Sequence, residues 1–140
     1  MDLALLDTDT LSEVLKQRNP TVTRRASEYL QTHGQFAFSV FTRFEILRGY
    51  KETRATRQLP RFATFCQRSL ILPVTDAVFD RAAELWVTAR RGGHPHGDAD
   101  LIIAATALEN SRALVTGNTP HFAWIAGLSL ADWRATSPQP

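Results

Sequence analysis

Cysteine occurs once, at Cys66, so no disulfide can close within the chain, which fits a reducing compartment. No histidine adjoins it, and it reads as a small buried hydrophobe, not a nucleophile. Lysine is nearly absent: 14 of the 16 basic residues are arginine, and the net charge is only +2. That excludes a polycation acting through bulk charge. Arginine suits bidentate phosphate contacts and stacking on bases, although genomic base composition produces the same bias. No apolar run reaches the ~18 residues of a membrane span. The chain enters LALLDTDT without a basic leader, so a cytoplasmic protein without a signal peptide is expected. Repeats, linkers and low-complexity tracts are also missing. What remains is 140 residues with 44% hydrophobic content, enough for one compact core.

Short apolar runs alternate with longer amphipathic ones. LALLD (3–7), FAFSV (36–40), SLILPV (69–74) and RALVTGN (112–118) read as buried strands, with GLSLADW (127–133) as a short last one. TLSEVLKQ reads as a helix capped by Asp9 or Thr10 and broken by Asn19-Pro20. Further helices are expected over 21–32, from about 41 to Gly49, over 76–91 and over 98–111. Segment 54–68 is mostly helical, with Pro60 kinking it or starting a new helix. RRGGHPHG (90–97) is a loop whose His94 and His96 read as solvated, near any substrate. Strands separated by helices predict a three-layer α/β/α domain over 1–134, with a central, mainly parallel sheet of four to five strands. Residues 135–140 are expected to fray.

Four acidic residues sit at the edges of apolar runs: Asp7 after LALL, Glu45 inside SVFTRFEILRG, and Asp98 with Asp100 ahead of LIIAATAL. An unpaired ionised carboxylate there is costly to desolvate, and a bound divalent cation removes that cost. In open α/β sheets ligands collect beyond the carboxyl ends of the strands. Asp7 ends the first strand, Thr116 and Asn118 end the fourth, and the other acids follow strands or loops at the same edge. Each residue also has an ordinary reading. Asp7 or Asp9 can be a helix cap, Glu45 can form a surface pair with Arg48, one of Asp98 and Asp100 can serve the helix dipole, and Gly-Asn favours a turn at Asn118. The dipole does not readily explain both aspartates, which repel unless a cation lies between them.

LLDTDTLS, SVFTRFEILRGY, GDADLIIAATAL and LVTGNTPHF, taken in order, resemble the four motif regions of PIN-domain ribonucleases, specifically the VapC-type toxins of prokaryotic toxin–antitoxin pairs. The resemblance spans almost the whole chain. It implies a metal-dependent endoribonuclease with Mg²⁺ or Mn²⁺ on Asp7, Glu45 and Asp100, and Asp98 as an accessory carboxylate. Thr8, Thr116, Asn118 and Arg48 are the expected contacts to water or phosphate. Asn118 and His121 stand where this family often has a further acid. The resemblance also implies an RNA substrate, a homodimer, a small antitoxin whose tail fills the active-site groove, and no membrane association. An apolar groove near Phe36, Phe41, Phe44 and Leu47 is the expected landing place.

Three rivals fit less well. DTDT resembles the start of haloacid-dehalogenase-like phosphatases, but Leu11 follows it and the only lysines are Lys16 and Lys51. HPHGDAD resembles a metallo-β-lactamase zinc motif, but Ala99 stands where histidine is required. A catalytically silent module that only binds RNA or protein gains nothing from clustered carboxylates. The basic positions 48, 51, 54, 57 and 61 would fan over about half of one helix, as an RNA-facing side, a partner-binding side or a solvated face.

Overall fold

The structure, a computed structural model, describes residues 1–136. Most of the tail expected to fray therefore lies outside the described residues. Five strands of two or three residues alternate with helices: β1 (Ala4–Leu6), α1 (Thr8–Lys16), α2 (Pro20–His33), β2 (Ala37–Ser39), α3 (Val40–Glu52), α4 (Gln58–Gln67), β3 (Leu70–Leu72), α5 (Asp76–Arg91), α6 (Asp98–Glu109), β4 (Ala113–Val115), α7 (Thr119–Phe122) and β5 (Leu130–Ala131). None of these helices is long and apolar enough to cross a membrane.

Every strand pairing is parallel. β1 pairs β4 with Leu5 opposite Leu114, β4 pairs β5, and β2 pairs β3 with Phe38 opposite Ile71. The ladder is split into a three-stranded and a two-stranded part, although β1 lies beside β2. The expected single sheet of four to five strands is thus five strands in two hydrogen-bonded sets.

Alternation along each strand builds the layers, because successive side chains leave opposite faces. Ala4 and Leu6, Phe38 and Val115 join Leu11, Val14, Val22, Tyr29, Phe62 and Trp133 on the side of α1 to α4. Leu5, Ala37 and Leu114 point the other way, into Val78, Ala82, Leu85, Leu101 and Ala104 from α5 and α6. The result is the α/β/α sandwich. Helix α6 is buried on most sides, and Ala104, Ala105 and Ala107 are fully enclosed.

Local sequence sets the boundaries. Asn19 caps α2 through its side-chain oxygen, Pro20 takes the first helical position, and Gly34 ends the helix at φ 82°. Ser39 caps α3, so the FAFSV strand stops one residue early and Val40 is already helical. Pro60 falls in the first turn of α4 and starts a new helix; it does not kink an old one. The basic segment is therefore two helices with a break between, and Arg54 in that break has φ 55°. The single fan of five basic positions does not exist. Phe36 is only 5% exposed, stacked between Tyr29 and Phe65, so it belongs to the core and not to a surface groove. Phe44, by contrast, is half exposed.

Tyr29 ties α2 to the first strand. Its buried hydroxyl accepts the Ala4 backbone N–H at 3.0 Å. Tyr29→Phe leaves that N–H without a partner in the core, which costs about 1–3 kcal/mol. Urea denaturation should show this as a lower midpoint with an unchanged slope; an unchanged midpoint would mean the bond contributes nothing.

Candidate active site

Parallel pairing brings the carboxyl ends of the strands to one edge. Asp7 leaves β1 there, anchored by its backbone N–H to the Val115 carbonyl at 3.0 Å, and Thr116 leaves β4 beside it. Of the cap candidates Asp7, Asp9 and Thr10, it is Asp7 that caps α1: its Oδ1 accepts the Thr10 N–H at 2.7 Å. Asp7 is 9% exposed. Burial raises its pKa above the ordinary carboxylate value; hydrogen bonds from the Thr116 hydroxyl and from Thr10 oppose that rise, and the charge of Asp9 adds to it. Among the described residues no cationic side chain pairs with it.

Glu45 lies in α3, which starts directly from β2. Its Oε1 accepts the Thr8 hydroxyl at 2.6 Å, and that hydroxyl stands 3.2 Å from the hydroxyl of buried Thr42. Its Oε2 is 3.4 Å from Nη2 of Arg48, whose guanidinium also covers the Phe44 ring. Thr8 thus joins the segment carrying Asp7 to the helix carrying Glu45. A cleft of about 870 Å³ opens from Thr8, Asp9 and Glu45 between α1, α3 and α4, with Lys16, Arg18 and Arg61 on its walls.

Helix α6 precedes β4 with a short connection, so it runs back along the sheet and its first turn reaches the same edge. There Asp100 Oδ2 is 2.9 Å from His121 Nε2, which is delivered by α7 just after β4. His121 Nε2 is also 3.0 Å from His96 Nδ1. His96 stacks on Trp124, whose indole N–H is bonded to the His121 carbonyl. Burial, then the neighbouring His121, hold the His96 imidazole below the usual histidine range, against the pull of Asp100. His96 is therefore not the solvated loop residue expected; His94 is exposed.

The two aspartates of GDAD part company. They are about 200° apart around the helix. Asp98 is exposed and lines a separate groove with Phe79, Trp86, Leu101 and Ile102, on the other side of the helix from Asp100. Asn118 is exposed at the edge; its backbone N–H donates to Thr116 Oγ1 at 3.1 Å, and its carbonyl accepts the His121 N–H at 3.1 Å. Each of the three main carboxylates is turned toward its own partner: Asp7 to Thr10 and Thr116, Glu45 to Thr8 and Arg48, Asp100 to His121. Among the described residues, the set of three ligand atoms lying within 4.8 Å of one another is His96, Asp100 and His121. Two of these escaped the sequence-based site. The available signal was a histidine at 121 in an acid's place, with a second histidine just ahead of GDAD.

The PIN domain family model matches residues 4–127. Among curated proteins, the tRNA(fMet)-specific endonuclease VapC of Shigella flexneri is 26% identical over 130 residues, covering 92% of this chain and 96% of that one. Ribonuclease VapC1 of Haemophilus influenzae strain R2866 is 25% identical over the same share. Among solved structures, the DNA-bound VapBC of Salmonella typhimurium superposes with a TM-score of 0.82 at 25% identity, covering 95% of this chain and 99% of that one. VapBC2 of Rickettsia felis, bound to a promoter DNA fragment, also gives 0.82 at 23% identity, over 94% and 98%. With a match running from β1 past α7 and an acidic edge where the four motif regions meet, the chain belongs to the PIN domain family.

Proposed function

We propose that this protein is an endoribonuclease toxin of a toxin–antitoxin pair, which cuts RNA phosphodiester bonds with the help of Mg²⁺ or Mn²⁺. The observation that carries the reading is Asp7: a buried carboxylate at a strand end, with its pKa raised and, among the described residues, no cationic side chain paired with it. Such a group fits a divalent cation, which offsets the desolvation cost that the protein itself leaves standing. The end-to-end likeness to VapC ribonucleases supports the substrate class.

In this reading Asp7, Glu45 and Asp100 hold the ion, directly or through water. All three donate oxygen, which suits Mg²⁺ and Mn²⁺. When bound, the cation supplies charge that stabilises the phosphate during displacement and makes water more acidic. The chain's own residues do the positioning. Thr10 and Thr116 fix the Asp7 carboxylate, and Thr8 fixes Glu45. Arg48, exposed beside Glu45, is suited to a phosphate oxygen, and the Asn118 amide is free for the same task. Lys16, Arg18 and Arg61 line the cleft as contacts to an RNA backbone. The same cleft suits the tail of a small antitoxin protein, and the structural relatives include VapBC complexes. A cytoplasmic homodimer completes the proposal; α5 carries exposed Phe79, Trp86 and Val87, an apolar face for self-association.

Asp7→Asn tests the metal reading twice. Cleavage of a labelled RNA in saturating Mg²⁺ should fall by at least about 100-fold, the scale of losing one transition-state stabiliser; the parent rate would remove Asp7 from the site. Stability should move the other way. A carboxyl whose folded pKa lies above its unfolded one makes folding worse as pH rises through that window. Asparagine keeps the helix cap without the charge. In EDTA at pH 7 the variant should therefore melt a few degrees higher, and the gain should vanish once the pH falls below the ordinary aspartate range.

Replacing Lys16, Arg18 and Arg61 together by alanine should weaken RNA binding and lower the slope of log K against log salt by about 2, at ~0.7 per lost phosphate contact. An unchanged slope would assign these cations to the antitoxin.

A further inference from the structure

His96, Asp100 and His121 pose a proton problem. His121 Nε2 has two neighbours at hydrogen-bond distance, Asp100 Oδ2 at 2.9 Å and His96 Nδ1 at 3.0 Å. An imidazole N–H points along one line and serves one of them well. If the proton sits on His96 Nδ1 instead, the His121 lone pair faces a carboxylate oxygen. Three lone-pair atoms therefore converge on a space that a single proton cannot satisfy. A cation satisfies all three at once.

The spacing is that of a ligand set. Zn²⁺–N bonds of about 2.0–2.1 Å place tetrahedral ligand atoms about 3.3 Å apart, so the observed contacts need to open by only a few tenths of an ångström. The third pair, His96 with Asp100, lies within 4.8 Å and closes as the other two open. The rings are already oriented: His96 rests on the Trp124 indole at 4.9 Å, and the Trp124 N–H holds the His121 carbonyl at 3.0 Å. His121 is also packed edge-on against buried Phe122. Two imidazoles and one carboxylate with room for water is a donor set for borderline transition metals, and unlike the all-oxygen set of Asp7 and Glu45 it discriminates against Mg²⁺.

We propose that His96, Asp100 and His121 form a binding site for one nitrogen-preferring divalent transition-metal ion, with Zn²⁺ as its type. Asp100 meets His121 through Oδ2, and that contact does not use its other oxygen. The site would stitch the loop before α6 to α7 and bring a second positive charge to that edge. It needs no nuclease activity to exist.

The test is Zn²⁺ calorimetry on the untagged full chain, in excess Mg²⁺ so that oxygen-only sites are occupied. One equivalent should bind, His96→Ala should weaken it at least about tenfold, and Asp7→Asn should still bind one equivalent. On the parent protein, long-range ¹H–¹⁵N spectra should show Zn²⁺ shifting the ring nitrogens of His96 and His121, while His33 and His94 stay put. Equal Zn²⁺ affinity in His96→Ala, or unmoved His96 and His121 resonances, overturns the site. Loss of binding in Asp7→Asn alone would move the ion to the carboxylates and overturn it too. RNA cleavage enters none of these readouts, so a failure of the ribonuclease reading would show separately.

Discussion

The carboxylate of Asp7 is the constraint on which the rest of the edge depends. It ends β1 and starts α1, so the chain cannot move it without moving both. It is buried, and among the described residues its compensation is a helix N–H and threonine hydroxyls. Those groups favour the ionised form but do not outweigh desolvation, and the pKa stays raised. Parallel pairing of β1 with β4 is what puts Thr116 beside it. The neighbouring Thr8 then reaches across to Glu45 and ties α3 to the same edge. A protein selected for stability alone would place an apolar residue or a neutral cap here.

Much of this was legible in the chain because burial on both faces leaves a strong local mark. LALL, FAF, LIL and ALV are uninterrupted apolar runs, and each contributes to a strand. Where a strand ends before its expected segment, the next helix has taken over: Val40 is already helical because Ser39 caps α3, and Asp7 turns to cap α1. Helix α5 matched its periodicity at both ends. The break between α3 and α4 was expected from Gly49, but α3 runs on to Glu52 and the break lies beyond it, where no glycine or proline marks it and Arg54 takes a left-handed conformation. Helix α7 is a single turn, too short for any period to register.

The site was legible by type and less so by grouping. Asp7, Glu45 and Asp100 stand at or near the carboxyl edge, as their positions after strands and at a helix start implied. Asp98 and Asp100 are neighbours in sequence, but two residues along a helix point to nearly opposite sides. The histidines are the reverse case. His96 and His121 are 25 residues apart, and only the return of β4 to the centre of the sheet brings them together on Asp100. No local pattern announces such a contact. The edge is therefore divided into an oxygen-rich half built on Asp7 and Glu45 and a nitrogen-rich half built on the histidines, with Asp100 at the boundary.

The central claim is that the fold buries the Asp7 charge at a cost that a divalent cation offsets. The direct measurement is the pKa of Asp7, followed through its side-chain carboxyl ¹³C resonance with and without saturating Mg²⁺. The account expects a midpoint above the ordinary aspartate range in EDTA, and a fall below that range when Mg²⁺ is added. A midpoint that Mg²⁺ leaves in place would contradict it.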